Sequence, residues 1–339
     1  MLVMETAPHL LNRLEESTRN VVSTKRVSVC IATCNHRDYI EQCLRSVLAQ
    51  PADCILEVLI GDDASDDGTS EIIAQIAAKH PDLIHHHRHP ERLGAFRNTL
   101  YLLGKAKGDY IACLDGDDYW LKGKLEPQIL LLDDDSTCAA VYTNAITVRE
   151  DGRHVGLFND AGDARFDMDA LVERGNVLNY SSMLFRAQSI ASILSCDVPI
   201  IDYEVHLIHA RFGYLAQIGT PLAAYRVHIT GSMVTSNHER VREMYWNALA
   251  RTRKAGVSDR SYALGITDFF RRILLRSIRT RDYRLCREWF PRIRASSPYG
   301  TSRTLWLTLR SALRIAVRVL FGLLRKGPDG KCLKILYRR

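Results

Sequence analysis

The sequence lacks the features that mark membrane-spanning and secreted proteins. No segment reaches the roughly 18 consecutive apolar residues that a membrane-spanning helix requires. The first 26 residues contain no apolar run of the length found in signal peptides. The nine cysteines form neither a CxxC pair nor the framework of a small disulfide-rich domain. We therefore expect a cytosolic protein with reduced thiols, neither secreted nor inserted into a membrane.

Glycine is also lacking where several nucleotide-binding families need it. The first apolar run, VSVCIAT, is followed by CNHRDY, which contains no glycine. P-loop kinases and dinucleotide dehydrogenases need glycines at this position for close approach to phosphate, so both classes are excluded. A nucleotidyltransferase usually carries a glycine-rich loop here as well. That class still shares paired carboxylates, a metal and a nucleotide in an α/β domain, and it stays open as an alternative.

Positive charge is scarce in the body of the chain and abundant in its tail. Residues 251–339 hold 23 Lys and Arg against 5 Asp and Glu, whereas the residues before them hold 23 against 34. The tail is therefore strongly basic and the body is acidic, which favours an anionic surface as the partner of the tail. From the tail alone, a non-enzymatic, basic-tailed binding protein is a further alternative.

Apolar periodicity predicts strands and helices in alternation from Val27 onward. VSVCIAT, LEVLIG and DYIACLD are typical of buried strands, and amphipathic runs such as DYIEQCLRSVLAQ separate them. This order predicts an α/β fold with a mostly parallel central sheet flanked by helices. A helix with an interruption at Pro127 follows, and then the strand-like CAAVYTNAITV and a polar stretch over 151–162. Beyond Asn237 every recognisable element is helical.

Acidic residues follow two of the predicted strands, at the sheet edge where open α/β sheets bind their ligands. Asp62 and Asp63 follow LEVLIG, and Asp115, Asp117 and Asp118 follow DYIACL. The spacing of Asp115 and Asp117 directs both carboxylates to one side of an extended chain. Hard oxygen ligands in this arrangement suit Mg²⁺ or Mn²⁺ shared with phosphate oxygens. An isolated DxD triplet is also common in plain solvated turns.

Four ordered motifs over about 100 residues are more specific than the triplet alone. VSVCIATCN, LIGDDASDDGT, RLGAFRN and GDYIACLDGDDYW together resemble the nucleotide-binding half of the inverting family-two glycosyltransferases, of the bacterial glycan-assembly type. The resemblance implies the GT-A fold, a Rossmann-like sheet, and transfer from a nucleotide-diphosphate sugar, with UDP as the carrier. It also implies that Mn²⁺ or Mg²⁺ assists the transfer.

The resemblance assigns roles to residues of the first half. Asp63 would receive the nucleotide base and Asp62 would support the same loop, while Asp117, with Asp115, would hold the metal on the diphosphate. The remaining contacts to the nucleotide sugar are assigned to Ala32, Cys34, Arg92, Arg97 and Asn98. Ala32 and Cys34 replace the proline and tyrosine usual in the first motif. Arg92, Arg97 and Asn98 surround the start of a predicted helix, where cations and N–H groups favour phosphate.

Two further residues complete the predicted site. Asp202, in IDYE, resembles the aspartate of the family's Glu-Asp pair, which is the general base for the acceptor hydroxyl, although Ile201 replaces the glutamate. Its plain alternative is a helix cap. His228, in YRVH, resembles the histidine that completes the metal shell or meets the diphosphate. A surface or capping histidine is the alternative there.

We thus predict a polar segment over 1–26, a GT-A catalytic domain over 27–236 and a basic helical region over 237–339. The catalytic domain divides into a nucleotide-sugar half, 27–134, and an acceptor half, 135–236. The predicted enzyme is a hexosyl- or N-acetylhexosaminyltransferase acting on a hydroxyl of a glycan or lipid-linked glycan, with no nucleic-acid partner.

The tail contains an amphipathic helix, predicted over 303–326. Arg310, Arg314 and Arg318 recur at four-residue spacing, and apolar residues such as Trp306 and Leu313 fill much of the remaining circumference. This composition is typical of a helix lying in a membrane interface. We therefore expect peripheral contact with the anionic inner face of the cell membrane. The alternative is that the helix packs on the catalytic domain.

Overall fold

The computed structural model describes residues 26–227, 238–324 and 334–337, and every structural statement below concerns these. The strands are β1 (Val27–Thr33), β2 (Ile55–Asp62), β3 (Ile84–Arg88), β4 (Tyr110–Asp115), β5 (Tyr119–Trp120), β6 (Cys138–Val148), β7 (His154–Asn159), β8 (Ala164–Phe166), β9 (Leu184–Arg186), β10 (Tyr214–Arg226) and β11 (Lys334–Tyr337). The α-helices are α1 (Arg37–Leu48), α2 (Thr69–Ala77), α3 (Ala95–Lys105), α4 (Leu125–Asp134), α5 (Met168–Arg174), α6 (Ile190–Leu194), α7 (Asp202–His209), α8 (His238–Lys254), α9 (Asp259–Thr280), α10 (Arg284–Ser296) and α11 (Thr301–Leu324).

The described strands form a single sheet of 11 strands. Its main path has the order β11-β7-β6-β9-β4-β1-β2-β3, and β10 pairs with β5, β6 and β8 outside that path. Strands β4, β1, β2 and β3 are mutually parallel, as are β6 and β10, whereas β9 is antiparallel to both β4 and β6. The predicted α/β fold with a mostly parallel sheet is confirmed.

Two apolar clusters cover the two faces of this sheet, which explains why its central strands are predominantly apolar. The cluster on one face includes Ile40 and Leu44 of α1, Ile73 of α2 and Leu132 of α4. The cluster on the other face draws on α3, α5 and α7 and continues into α8, α9 and α10. Helices of the basic C-terminal region therefore share a core with the sheet.

Aromatic rings and one close backbone approach fix the C-terminal helices in place. Trp246 of α8 lies edge-on to Trp289 of α10 at 5.8 Å between ring centroids. A Cβ at Gly265 of α9 would come within 2.8 Å of Val172 of α5, so the absence of a side chain lets these helices touch. The eight cysteines among the described residues are free thiols, in keeping with the reduced state expected from the sequence.

Three elements differ from the sequence-based expectation. Pro127 does not interrupt its helix, because it lies in the first turn of α4, where the missing N–H would have no intrahelical partner. Strand β7 occupies part of the polar stretch over 151–162, for which the sequence predicted no strand. Strand β11, in a region expected to be helical throughout, pairs in parallel with β7.

The amphipathic helix of the tail exists as α11, which begins two residues before its predicted start. The last two residues of the predicted helix, 325 and 326, lie outside the described residues. Among the residues that the structure describes, none of the helices combines the length and the apolar character needed to cross a membrane.

Candidate active site

Three carboxylates meet at the carboxyl end of β4. One oxygen from each of Asp115, Asp117 and Asp118 lies within 4.8 Å of the others. Burial raises the pKa of Asp115 and of Asp118 well above the ordinary value, and the charge of Asp117 raises both further. A divalent cation with a preference for oxygen ligands would relieve this repulsion. The donor set therefore fits Mg²⁺ or Mn²⁺.

The three carboxylates are not equivalent. Asp118 uses both oxygens within the protein: Oδ1 accepts the backbone N–H of Arg226 at 2.8 Å, and Oδ2 accepts the hydroxyl of Ser181 at 2.6 Å. In the described part of the chain, no hydrogen-bond donor reaches the Asp117 carboxylate, which is half-buried. Asp117 is thus the member of the cluster with most capacity left for a ligand.

Gly116 holds the acidic turn against the end of β1. Its N–H donates to the carbonyl of Ala32 at 2.9 Å, and the N–H of Asp118 donates back to the carbonyl of Asp115 at 2.9 Å. A Cβ at Gly116 would lie 2.5 Å from Oγ1 of Thr33, a distance that real structures do not show. The glycine is required by this close approach, and it orients the carboxylates on either side of it.

Ser181 is a site residue that the sequence did not single out. Besides its bond to Asp118, its hydroxyl lies 3.5 Å from Oδ2 of Asp115. Its carbonyl accepts the indole N–H of Trp120 at 2.7 Å. Ser181 thereby joins the acidic turn to the segment before β9. The serine pair of NYSSMLF gives no sign of this role, which depends on a contact between distant parts of the chain.

Arg226, at the end of β10, was also not singled out, although it lies in the motif that contains His228. Its guanidinium lies 4.6 Å from the ring centre of Tyr39 and 5.4 Å from that of Tyr119. Its Nε donates to the carbonyl of Asp117 at 2.5 Å, and its Nη2 donates to Gln42. A planar cation near two aromatic rings therefore holds the backbone of the acidic turn. His228 itself lies outside the described residues.

Replacing Arg226 is expected to impair catalysis whether or not the positive charge is kept. Both R226K and R226M should reduce sugar transfer at least ~10-fold, because neither side chain supplies a planar donor to Asp117 and Gln42. Steady-state kinetics with R45K as control will test this, since Arg45 is an exposed arginine on α1. Normal rates in R226K would mean that Arg226 contributes only its charge.

Asp62, the last residue of β2, and Asp63, which follows it, organise a neighbouring loop. Both oxygens of Asp63 accept backbone N–H groups, that of Leu93 at 2.6 Å and that of Gly94 at 2.9 Å. Burial alone would raise the pKa of Asp62, but hydrogen bonds from His86, Ser65 and Ser70 outweigh it and hold that pKa well below the ordinary value. Asp62 thus lies inside the loop that it was predicted to support.

The other predicted nucleotide-sugar contacts occupy different positions around this loop. Arg92 and Arg97 are exposed, and Arg92 lies 3.4 Å from Asp66. Asn98 is buried: its amide donates to the carbonyl of Gly61 at 2.7 Å, and its Oδ1 lies 3.0 Å from Nε2 of His89. The structure therefore gives Asn98 internal partners at both ends of its amide. The assignment of Asn98 as a contact to the nucleotide sugar stays a prediction.

The first-motif residues lie beside the same loop. Ala32, in β1, is half-buried and accepts the N–H of Gly116 through its carbonyl. The thiol of Cys34 donates to the carbonyl of Asp63 at 3.4 Å. Both therefore border the space between the loop after β2 and the acidic turn.

Asp202 is the first residue of α7 and lies near the acidic cluster. Ile201 is the N-cap, and no side chain caps this helix, so Asp202 does not occupy the capping position. Its charge contributes to the raised pKa of Asp115, which places the two carboxylates within electrostatic reach. Asp202 is open to water, yet the protein around it displaces bulk solvent, and this desolvation raises its pKa to about 6.

Buried contacts hold α7 and therefore Asp202 in position. The ring of Tyr203 stacks on Tyr245 of α8 at 4.5 Å between centroids, and its hydroxyl donates to the carbonyl of Leu171. Nδ1 of His206 lies 2.8 Å from the hydroxyl of Tyr142 in β6. A helix buried over most of its length can present one carboxylate at a defined place.

Comparison with known proteins places this site in a family. The family described as glycosyl transferase family 2 matches residues 28–190, which include the acidic cluster and Ser181. Uncharacterized protein Rv1520 of Mycobacterium tuberculosis is 31% identical over 207 residues, or 60% of each chain. The UDP-Glc:alpha-D-GlcNAc-diphosphoundecaprenol beta-1,3-glucosyltransferase WfaP of Escherichia coli is 30% identical over 178 residues, 52% of this chain and 66% of WfaP.

A solved structure shows the same fold. The mannosyltransferase PcManGT from Pyrobaculum calidifontis, in complex with GDP-Man and Mn²⁺, superposes with a TM-score of 0.52 at 18% identity, over 89% of this chain and 81% of PcManGT. The match spans about 60% of the length of the mycobacterial relative. The family match favours a glycosyltransferase over the nucleotidyltransferase and the non-enzymatic binding protein. Over residues 28–190 this chain belongs to glycosyl transferase family 2.

Proposed function

We propose that the protein transfers a sugar from a nucleoside-diphosphate donor, with UDP as the carrier, to a hydroxyl of a glycan or lipid-linked glycan. One observation carries the proposal. The Asp117 carboxylate accepts no hydrogen bond from the described residues, and it lies in a cluster of three acidic groups near Asp202. A metal-binding group and a proton acceptor side by side are the two functions that such a transfer needs.

Asp115 and Asp117 are the proposed metal ligands, and Asp118 holds their turn in place. When bound, Mn²⁺ or Mg²⁺ would supply charge neutralisation for the leaving nucleoside diphosphate. Asp118 is the weaker candidate because Ser181 and the backbone of Arg226 already occupy its oxygens. His228 is retained as a third proposed ligand on the resemblance of YRVH alone.

Asp202 is the proposed general base. With its pKa raised to about 6, it is largely ionised at neutral pH and is still basic enough to accept a proton from the attacking hydroxyl. Attack from the side opposite the leaving group inverts the anomeric configuration, which gives a β-linkage from an α-linked donor. Glu204, two residues later, is buried and paired with Arg251, so it is not free to take this role.

The donor's base and ribose are assigned to the loop bordered by Ala32, Cys34 and Asp63. UDP is favoured by the relative WfaP, whose name specifies a UDP-glucose donor. A hexose or an N-acetylhexosamine is the proposed sugar. The same name specifies a diphosphoundecaprenol-linked acceptor, which supports a lipid-linked acceptor here. We place the reaction at the inner face of the cell membrane.

A screen of sugar nucleotides tests donor and metal together. UDP- and GDP-linked hexoses and N-acetylhexosamines are compared by thermal shift and by donor hydrolysis, each with Mn²⁺, Mg²⁺ and EDTA. We expect stabilisation and slow hydrolysis with one UDP-sugar in the presence of metal, and neither in EDTA. If only a GDP-sugar is effective, the assignment of UDP as the carrier is wrong. If EDTA does not affect hydrolysis, the metal assignment is wrong.

A further inference from the structure

Helix α11 is packed with its polar side inward. The residues that it buries most fully are Thr304, Leu307 and Thr308. Five large apolar residues of the helix are exposed instead, and these are Leu305, Trp306, Leu309, Leu313 and Val317. An amphipathic helix that packs only on its own protein buries its apolar stripe. The exposed face of α11 is therefore the face whose burial the hydrophobic effect most strongly favours.

The polar side chains on the inward side of α11 have local hydrogen-bond partners. The hydroxyl of Thr304 lies 2.8 Å from that of Ser297, in the turn before the helix, and donates to the carbonyl of Gly300 at 3.1 Å. The hydroxyl of Thr308 donates to the carbonyl of Thr304 at 2.9 Å. The inward side of α11 packs along α9. Its polar side chains have hydrogen-bond partners where they lie. Rotating the helix would expose these side chains to solvent and would not supply a missing partner to any buried group.

Positive charge borders the apolar face. Arg303, Arg310 and Arg314 are exposed. At 100° per residue they occupy an arc of about 40° directly beside the arc of about 120° that the exposed apolar residues fill. The helix contains no acidic residue, and Arg318 adds a fourth positive charge in its sequence, although its side chain lies outside the described residues. An apolar stripe flanked by arginines is the arrangement of interfacial helices.

We propose that this face of α11, called here the outer stripe and comprising Leu305, Trp306, Leu309, Leu313 and Val317, docks on an anionic lipid surface. The apolar side chains would enter the boundary between headgroups and acyl chains, and the arginines would meet the lipid phosphates. A second copy of the chain is disfavoured as occupant, because pairing two such faces brings together arginines with no acidic partner on the helix. The inference deepens the proposed function, whose lipid-linked acceptor lies in the same surface.

The protein carries its own reporter for this contact. Trp306 is 55% exposed, whereas Trp120, Trp246 and Trp289 are 3%, 6% and 1% exposed. Insertion of the outer stripe into lipid would shift the fluorescence of Trp306 to shorter wavelength and allow quenching by bromine-labelled lipid. The buried tryptophans would not respond. The variant W306F should lose the shift and still bind vesicles.

The test uses the full-length protein with vesicles of phosphatidylcholine, alone and with phosphatidylglycerol, at two salt concentrations. We expect sedimentation with the anionic vesicles and a blue shift of Trp306. The variant L309E/L313E should lose binding at least ~10-fold, and R310Q/R314Q should lose about fivefold per arginine, with a weaker salt dependence. The control L194E places the same charge on an exposed apolar residue of α6 and should bind normally.

Three results would overturn the proposal: no shift with anionic vesicles at low salt, an equal loss of binding in L194E, or a shift that grows with protein concentration without vesicles. The last would assign the outer stripe to a second copy. Donor hydrolysis in vesicle-free solution separates this inference from the proposed function. The outer-stripe variants should hydrolyse donor at the wild-type rate, and a wild type that binds vesicles but turns over no sugar nucleotide would refute the function alone.

Discussion

The variant D117A is expected to lose sugar transfer entirely and to lose the metal-dependent stabilisation by donor. Asp117 is the carboxylate of the acidic cluster without a hydrogen-bond donor among the described residues, so its oxygens are the ones available to a cation. Removing it leaves Asp115 to hold the metal against the diphosphate, because Asp118 is occupied by Ser181 and by the backbone of Arg226. A bridge with one carboxylate fewer should not form.

Stability without metal distinguishes this explanation from simple misfolding. The charge of Asp117 raises the pKa of Asp115 and of Asp118, which means that the three groups repel one another in the metal-free protein. Deleting one charge should therefore leave the metal-free melting temperature unchanged or higher. Donor with Mn²⁺ should raise the melting temperature of the wild type and not that of D117A.

The matched control is D134A, which removes an exposed aspartate at the end of α4. It should bind donor and metal as the wild type does. Melting curves with and without Mn²⁺, UDP-sugar and EDTA, together with transfer rates, complete the comparison. Undiminished transfer by the wild type in EDTA would refute the metal assignment, and a D117A protein that melts far below the wild type would point to a structural role instead.

The central sheet and the acidic turn could be predicted because their signals are local. Strands β1, β2 and β4 are buried on both faces and therefore consist mostly of apolar residues. Carboxylates directly after such a strand must emerge at the carboxyl edge of the sheet. The order of the motifs then supplied the family, and the match over residues 28–190 confirms it.

The parts that escaped prediction depend on partners far away in sequence. Strand β7 lies within a polar, glycine- and aspartate-rich stretch, and it is a strand because β6 pairs with one edge of it and β11 with the other. Ser181 and Arg226 are site residues because the fold brings them to Asp118, and neither residue type at its position suggests a ligand. The polar inward side of α11 is likewise invisible until the helix is placed on α9.

From sequence alone the predicted general base had a plain alternative, since an aspartate before an apolar helix is more often a cap. The structure removes that alternative, because Ile201 is the N-cap and Asp202 begins the helix. What remains is a carboxylate near Asp115, open to water, with its pKa raised to about 6. Its role in proton transfer is a prediction that kinetics can test.

The variant D202N is expected to bind donor normally and to lose transfer by at least ~100-fold, because an amide preserves shape but cannot accept the proton of the acceptor hydroxyl. The base works only when ionised, so wild-type kcat should rise with pH through about 6 and then level off, and the residual rate of D202N should lack this inflection. The control is E204Q. Glu204 lies on the same helix as Asp202, and its buried carboxylate is paired with Arg251 of α8, so the variant should lower stability more than rate. Donor affinity is read from thermal shift, and kcat from transfer at saturating acceptor between about pH 5 and 8. A near-normal rate in D202N would show that another group takes the proton, and the acid side of the pH profile would then have to be assigned to a different residue of the site.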